Sequence, residues 1–218
     1  MSSENIDIII LAGGKAQRLG GLDKGFVVLD NKPLIEHCIA RLPTQDINLI
    51  ISANRNHKKY LRYTHKAISD TVGVFDGPLA GIYSALEHIK SDHLFVIPCD
   101  MPFLPTNLHT KLKENIGHNN ACAVIHSNQI EPLLLLIKKS HIASIAHYLE
   151  NGRRSVIGWL KESHCVYTRY DNERIQFLNI NTQKDISIAQ EFINASASMD
   201  NKTYSANTQN LFLTTILQ

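Results

Sequence analysis

An apolar run that stops on two glycines constrains this chain more than any other feature. Residues 6–12 carry Ile8-Ile9-Ile10-Leu11-Ala12, and Gly13-Gly14 come at once after them. A run of that length, rich in isoleucine, is too short for a helix and reads as a strand buried on both faces of a parallel sheet. The next segment, from Gly13 to Gly25, holds five glycines together with Lys15, Arg18 and Lys24. Glycines let successive backbone N–H groups converge on an anion without a Cβ in the way. The three basic side chains add charge, so the loop suits a polyphosphate, whereas an ordinary flexible connection would need neither. Two better-known phosphate loops are excluded by spacing. No glycine here opens G-x-x-x-x-G-K-[ST], and no two glycines of the loop are separated by a single residue, as a dinucleotide fingerprint requires.

Further strands and helices alternate along the chain. The apolar runs 26–29, 49–51, 72–75, 94–97, 121–125, 133–137 and 177–180 predict strands. Helical spacing predicts helices from Leu34 to Leu42 and over 56–63, 79–90, 106–116, 141–149, 156–160 and 185–193, with Pro33 suited to a first helical turn. This order predicts an α/β fold of three layers around a mainly parallel sheet. Composition shifts after Ala195 to Ser, Asn and small residues. The expectation is therefore one domain over 1–195 and a flexible C-terminal tail over 196–218.

Composition removes several partners. The chain has 218 residues, 44% of them hydrophobic, enough for a sizeable core. Formal net charge is only +2 and no dense Lys/Arg block occurs, so a nucleic-acid partner is not expected. No apolar stretch approaches the length of a membrane span, and the first residues have no basic signal-peptide region. Cys38, Cys99, Cys122 and Cys165 are dispersed, as suits free thiols in a reducing compartment, and a cytoplasmic location is expected. Eleven histidines fall into no close metal-ligand spacing, which leaves structural zinc disfavoured.

In an open α/β sheet, ligands bind beyond the carboxyl ends of the strands. Two more such ends are unusual. Asp100 stands just past a buried strand between Pro98 and Pro102. It reads either as a Mg²⁺ ligand, since Mg²⁺ takes one or two carboxylates plus phosphate oxygens and water, or as a helix cap or Asx-turn. The glycine loop upstream favours the metal. Asp76-Gly77-Pro78-Leu79-Ala80-Gly81 places two glycines around a helix start, for capping or for close approach to a bound base or acceptor.

Taken together, these segments resemble one family. Leu11-Ala12-Gly13-Gly14, Arg18 and Gly20-Gly21-Leu22-Asp23-Lys24-Gly25 are similar to the L-A-G-G-x-x-x-R-[ML]-G-G-x-D-K-G signature of molybdenum cofactor guanylyltransferase. Gly77-Pro78-Leu79-Ala80-Gly81, Pro98-Cys99-Asp100-x-Pro102 and Asn179-Ile180-Asn181-Thr182 match its later motifs in order. The resemblance spans about residues 8–193.

It implies a Rossmann-like nucleotidyltransferase fold and transfer of GMP from GTP to a molybdopterin-type cofactor, with Mg²⁺ as cofactor. Leu11, Ala12, Gly13, Gly14, Ser52, Asp70 and Gly77 would contact the nucleotide. Arg18 and Lys24 would act on its phosphates, Asp100 would bind Mg²⁺, and Gly81, Asn179 and Asn181 would face the acceptor. Ser52 stands where family members often carry Asn, keeping a hydroxyl but losing an amide donor. A monomer with transient contacts to cofactor-delivery or acceptor proteins is the expectation. The rivals are a cytidylyltransferase for the same pterin, a sugar-phosphate nucleotidyltransferase, and a non-catalytic GTP-binding regulator.

Overall fold

The computed structural model describes residues 6–13, 15–16, 19–44, 47–69, 76–171 and 174–200. The first strand, β1 (Ile6–Leu11), is central. It pairs in parallel with β6 (Ile47–Ser52) on one side and β8 (His93–Pro98) on the other. Ile8, Ile9 and Ile10 are fully buried, as a strand covered on both faces requires. Each such side chain contributes about 1.5–3 kcal/mol. Beyond β6 lies β7 (Lys66–Ile68), parallel to it. Beyond β8 come β10 (Gln129–Lys138), β9 (Ala121–His126) and β11 (Cys165–Tyr170). The order is β11-β9-β10-β8-β1-β6-β7, and β10 alone among these runs antiparallel to its neighbours. The two short ribbons pair β2 (Lys15–Ala16) with β3 (Leu22–Asp23), and β4 (Val28–Leu29) with β5 (Lys32–Pro33).

Period-two alternation in β1 divides the core. Ile8 and Ile10 face a layer holding α1 (Leu34–Ile39) and α4 (Leu108–Ile116) through Ile35, Cys38, Leu108 and Leu112. Ile9 and Leu11 face α3 (Pro78–Leu86), α5 (Ile142–Glu150) and α6 (Val156–Glu162) through Leu79, Ile82, Leu149 and Trp159. The three-layer α/β arrangement with a mainly parallel sheet is therefore the one the alternation of elements predicts. All four cysteines are free.

Several local expectations change. The helix expected over 56–63 shrinks to α2 (His57–Tyr60). The run 177–180 is not a strand: Arg174–Phe177 is a 3-10 turn, and Ile180 spends its N–H on the Asp100 carbonyl at 2.9 Å. Its side chain is apolar because it fills a small cluster with Val27, Leu29 and Leu34. Cys165–Tyr170, with alternating polarity too weak to stand out, supplies the edge strand instead. The run 26–29 divides into a 3-10 turn at Lys24–Phe26 and the short β4. The run 72–75 lies outside the described residues.

The last helix, α7 (Gln183–Asp200), continues through Ala195, where the composition change begins. Ser196 and Ser198 donate to the carbonyls of Phe192 and Asn194 at 3.0 and 2.8 Å, which lets small polar residues stay helical. Residues 201–218 lie outside the described residues.

At the amino ends of the strands, Asp7 is 1% exposed and ties three elements together. It accepts from Asn48 Nδ2 at 2.5 Å and from the backbone N–H groups of Lys90 and Ser91 at 2.9 and 2.6 Å. Asp7→Ala strips buried donors of a charged acceptor, so chemical denaturation should show a loss of about 2–3 kcal/mol. An unchanged midpoint would mean that water replaces the carboxylate there.

Candidate active site

The strand register fixes the floor of a cleft. Leu11 lies opposite Ser52 on one side and Pro98 on the other, so the carboxyl ends of β6, β1 and β8 finish level. Backbone bonds extend the alignment past the strands, from Ala12 N–H to Ser52 O at 2.7 Å and from Cys99 N–H to Leu11 O at 3.1 Å. Over this row lies a cleft of about 390 Å³ whose lining includes Leu11, Gly13, Lys24, Ser52, Asp100 and Asn179.

At its centre the ammonium of Lys24 pairs with the Asp100 carboxylate. Asp100 is 6% exposed. Burial pushes its carboxyl above the usual carboxylate range, and the positive charge of Lys24 pulls against that rise. A buried carboxylate is costly without a cation, and here one lysine supplies it.

Lys24 is held from behind. Asp23 accepts from Tyr60 Oη at 2.5 Å and from Asn56 Nδ2 at 3.0 Å, and it is itself buried. Gly25 lies under the Tyr60 ring, where an added Cβ would run into the hydroxyl and come within 3.1 Å of Cε1. That contact is the physical reason for glycine after Asp23-Lys24. Gly20 and Gly21 sit at φ 78° and 70° before β3, a turn that L side chains rarely adopt. Arg55 steadies the turn with bonds to the Gly21 and Leu22 carbonyls at 3.4 and 3.3 Å.

The two asparagines of Asn179-Ile180-Asn181 flank the ion pair from the far end of the chain. Ile180 points into its apolar cluster and leaves its neighbours facing the cleft centre. Asn181 Oδ1 accepts from Lys24 Nζ at 2.6 Å. Asn179 faces Asp100, and with its amide nitrogen toward the carboxylate it donates to both oxygens, at 3.1 Å to Oδ1. A capping box holds this segment: Asp185 Oδ2 accepts from Thr182 N–H at 2.7 Å and from Asn181 N–H at 2.9 Å, while Asp185 N–H donates to Thr182 Oγ1 at 3.3 Å.

Ser52 is fully buried, and its hydroxyl has no hydrogen-bond partner among the described residues. A buried hydroxyl left over at a cleft wall is open to a partner that enters the cleft.

Of the residues expected from sequence, Leu11, Gly13, Lys24, Ser52, Asp100 and Asn179 meet in the cleft, and Asn181 joins them through Lys24. Ala12 is buried in the floor. Gly77 and Gly81 do not line the cleft; their neighbour Pro78 does. Gly77 starts α3, its carbonyl accepting from Ala80 and Gly81 at 3.0 and 3.2 Å. Gly14, Arg18 and Asp70 lie outside the described residues. Asp100 lines the cleft and does not cap a helix, since its oxygens meet Lys24 and Asn179.

Sequence reasoning missed the β10 wall: Glu131, Pro132, Leu133 and Leu134 also line the cleft. The signal was Pro132 within an apolar strand, which marks an interruption of the ladder. Burial, and then the charge of Asp100, push the Glu131 carboxyl above its ordinary range.

Parallel strand ends, a glycine-rich turn and a lysine–carboxylate pair in one cleft define the class as nucleotidyltransferase. Residues 8–178 match the MobA-like NTP transferase domain. The chain is 38% identical over 179 residues to molybdenum cofactor guanylyltransferase of Shewanella halifaxensis, covering 81% of this chain and 90% of that one. It is 41% identical over 182 residues to the enzyme of the same name from Shewanella baltica, covering 83% and 93%. Its fold is similar to the crystal structure of molybdopterin-guanine dinucleotide biosynthesis protein A from Archaeoglobus fulgidus. That likeness has a TM-score of 0.72 at 26% identity, over 87% of this chain and all of the other. The chain belongs to the molybdenum cofactor guanylyltransferase family.

The raised carboxyl of Glu131 has a measurable consequence in the metal-free, ligand-free protein. A carboxyl whose folded value exceeds its unfolded one binds more protons when folded, so stability falls as pH rises through that window. Glu131→Gln should therefore raise the melting temperature in EDTA at pH 7–8. The gain should vanish as pH drops below the ordinary glutamate value of about 4.3. A melting temperature unchanged at neutral pH would show that solvent already relieves the carboxylate.

Proposed function

We propose that this chain transfers GMP from GTP to the terminal phosphate of a molybdopterin-type cofactor and releases pyrophosphate. The observation that carries the reading is the Lys24–Asp100 pair, centred in a cleft over level parallel strand ends and flanked by two asparagines. Leu11, Ala12, Gly13 and Gly14 line the nucleotide on the β1 and β6 side, with the unsatisfied Ser52 hydroxyl as a further contact. Asp70 belongs to the same nucleotide side in this proposal, and Asn179 and Asn181 to the acceptor side, while Gly77 and Gly81 serve the start of α3 beside the cleft.

The chemistry asks little of acids and bases. The acceptor phosphate is already anionic at neutral pH, so its oxygen attacks the α-phosphorus of GTP without a general base. The bond from the α-phosphorus to the bridging oxygen breaks, and pyrophosphate leaves with the electron pair. What remains is to bring two anions together, which is positioning and charge neutralisation. Lys24, with Gly14 and Arg18, would steady the β and γ phosphates as pyrophosphate departs.

The donor set also fits Mg²⁺. Asp100 offers one buried carboxylate that already demands a cation, and a hard divalent ion takes one or two carboxylates with phosphate oxygens and water. Held by Asp100, Mg²⁺ would draw negative charge off the phosphate oxygens. Lys24, beside that carboxylate, would meet the phosphates. No described helix is long and apolar enough to cross a membrane.

A nucleotide panel with Mg²⁺ and molybdopterin, followed by pyrophosphate release, tests the assignment. GTP should be used and CTP or ATP poorly, because a site built for the guanine donors is left with unpaired groups by another base. Equal turnover with CTP would end the guanylyl assignment. Asp100→Asn keeps the shape of the side chain but removes its charge, so turnover should fall about a thousandfold while GTP still binds. Turnover close to the wild-type rate would remove Asp100 from the chemistry.

A further inference from the structure

On the β10 side of the cleft stands a second carboxylate, one with no basic side chain paired to it among the described residues. β10 pairs with β9 at both ends, but its register breaks between them: Glu131 lies opposite Val124, and Leu135 opposite Ala123. Pro132, Leu133 and Leu134 are the inserted residues, and Pro132 could not donate to a ladder in any case. The bulge carries Glu131 into the cleft lining together with these three. Glu131 is half-buried, and its side chain makes no hydrogen bond or ion pair among the described residues. A carboxylate is an acceptor only, so an unpartnered one in a cleft wall calls for a donor.

Position and charge select that donor. Another phosphate is excluded by like charge. Across the sheet, Ser52 ends β6, Leu11 ends β1, Asp100 comes just after β8, and Glu131 lies on β10. With strands about 4.8 Å apart, three steps put Glu131 roughly 14 Å from Ser52. With the nucleotide over β1 and β6 and its phosphates at Lys24 and Asp100, the β10 wall is on the acceptor's side. The acceptor's pterin ring presents a 2-amino group beside a ring N–H, two parallel donors that a carboxylate accepts as a fork. Guanine carries the same edge, but at the other end of the cleft.

We propose that Glu131 is a specificity residue of the acceptor subsite, accepting hydrogen bonds from the amino-pyrimidinone edge of the pterin. This inference rests on the guanylyl-transfer reading. Leu133 and Leu134, from the same bulge, give the ring an apolar wall.

Equilibrium binding of molybdopterin to the full chain, by ultrafiltration, tests it alongside binding of a fluorescent GTP analogue and pyrophosphate release. Glu131→Ala should weaken molybdopterin binding about tenfold or more, while affinity for the GTP analogue shifts less than twofold. Glu131→Gln, which keeps one acceptor oxygen, should fall between Ala and wild type, and the melting temperature of each variant shows that it folds. Wild-type molybdopterin affinity in both variants would overturn the assignment. So would a loss confined to the GTP analogue, which would mean that guanine's edge is read here. A raised Mg²⁺ requirement with unchanged molybdopterin affinity would make Glu131 a metal ligand and overturn it too. If wild-type protein binds molybdopterin and releases pyrophosphate, any of these results sinks the Glu131 assignment alone. If the wild type does neither, the guanylyl-transfer reading fails and the inference falls with it.

Discussion

The buried carboxylate of Asp100 organises this molecule. Its desolvation has to be offset, and the side chains that offset it come from distant parts of the chain. Lys24 arrives on the turn after β3, and Asn179 arrives on the segment that leads into α7. The Asp100 backbone carbonyl accepts the Ile180 N–H, so the same residue anchors that segment twice. A single charged group thereby couples the first 25 residues, the centre of the sheet and the last described helix. The low dielectric that makes an unpaired carboxylate costly also makes any cation near it effective.

Rigidity of this arrangement comes from the supports behind it. Lys24 does not reach for Asp100 from a loose loop: Tyr60 and Asn56 pin Asp23, and the Tyr60 ring leaves room only for glycine at position 25. Asn179 and Asn181 are presented by a capping box on one side and a buried isoleucine on the other. Electrostatic catalysis needs charges fixed before the substrate arrives, because charges that must reorganise lose most of their effect. The backbone that carries Lys24 and the two asparagines is held in this way by the Asp23 and Asp185 carboxylates and by the packing of Tyr60 and Ile180.

Much of the site was legible in the sequence, and the reasons are local. A buried strand leading into glycines and lysine reads directly, and so does an aspartate boxed by prolines at a strand end. Pairings across the chain were less legible. Lys24 and Asp100 are 76 residues apart, and nothing in their spacing says that they touch. The run 177–180 misled because apolar residues serve a strand and an anchored turn equally well; the register of the sheet, absent from local pattern, decides between them. Cys165–Tyr170 went unseen because an edge strand with three half-buried residues at its start shows weak alternation. Glu131 stands just before the apolar run 133–137, where only Pro132 marked the bulge that turns it toward the cleft.

If the Asp100 carboxylate holds the divalent metal when a triphosphate is bound, Mn²⁺ in place of Mg²⁺ would make that binding visible by electron paramagnetic resonance. Titration of Mn²⁺ into the full chain with a non-hydrolysable GTP analogue should show one tightly bound ion per chain. In Asp100→Asn, with the analogue still bound, Mn²⁺ affinity should fall about tenfold or more, because the buried carboxylate that would hold the ion is gone. Mn²⁺ binding with wild-type affinity in Asp100→Asn would mean that Asp100 does not hold the metal and that the nucleotide carries it alone.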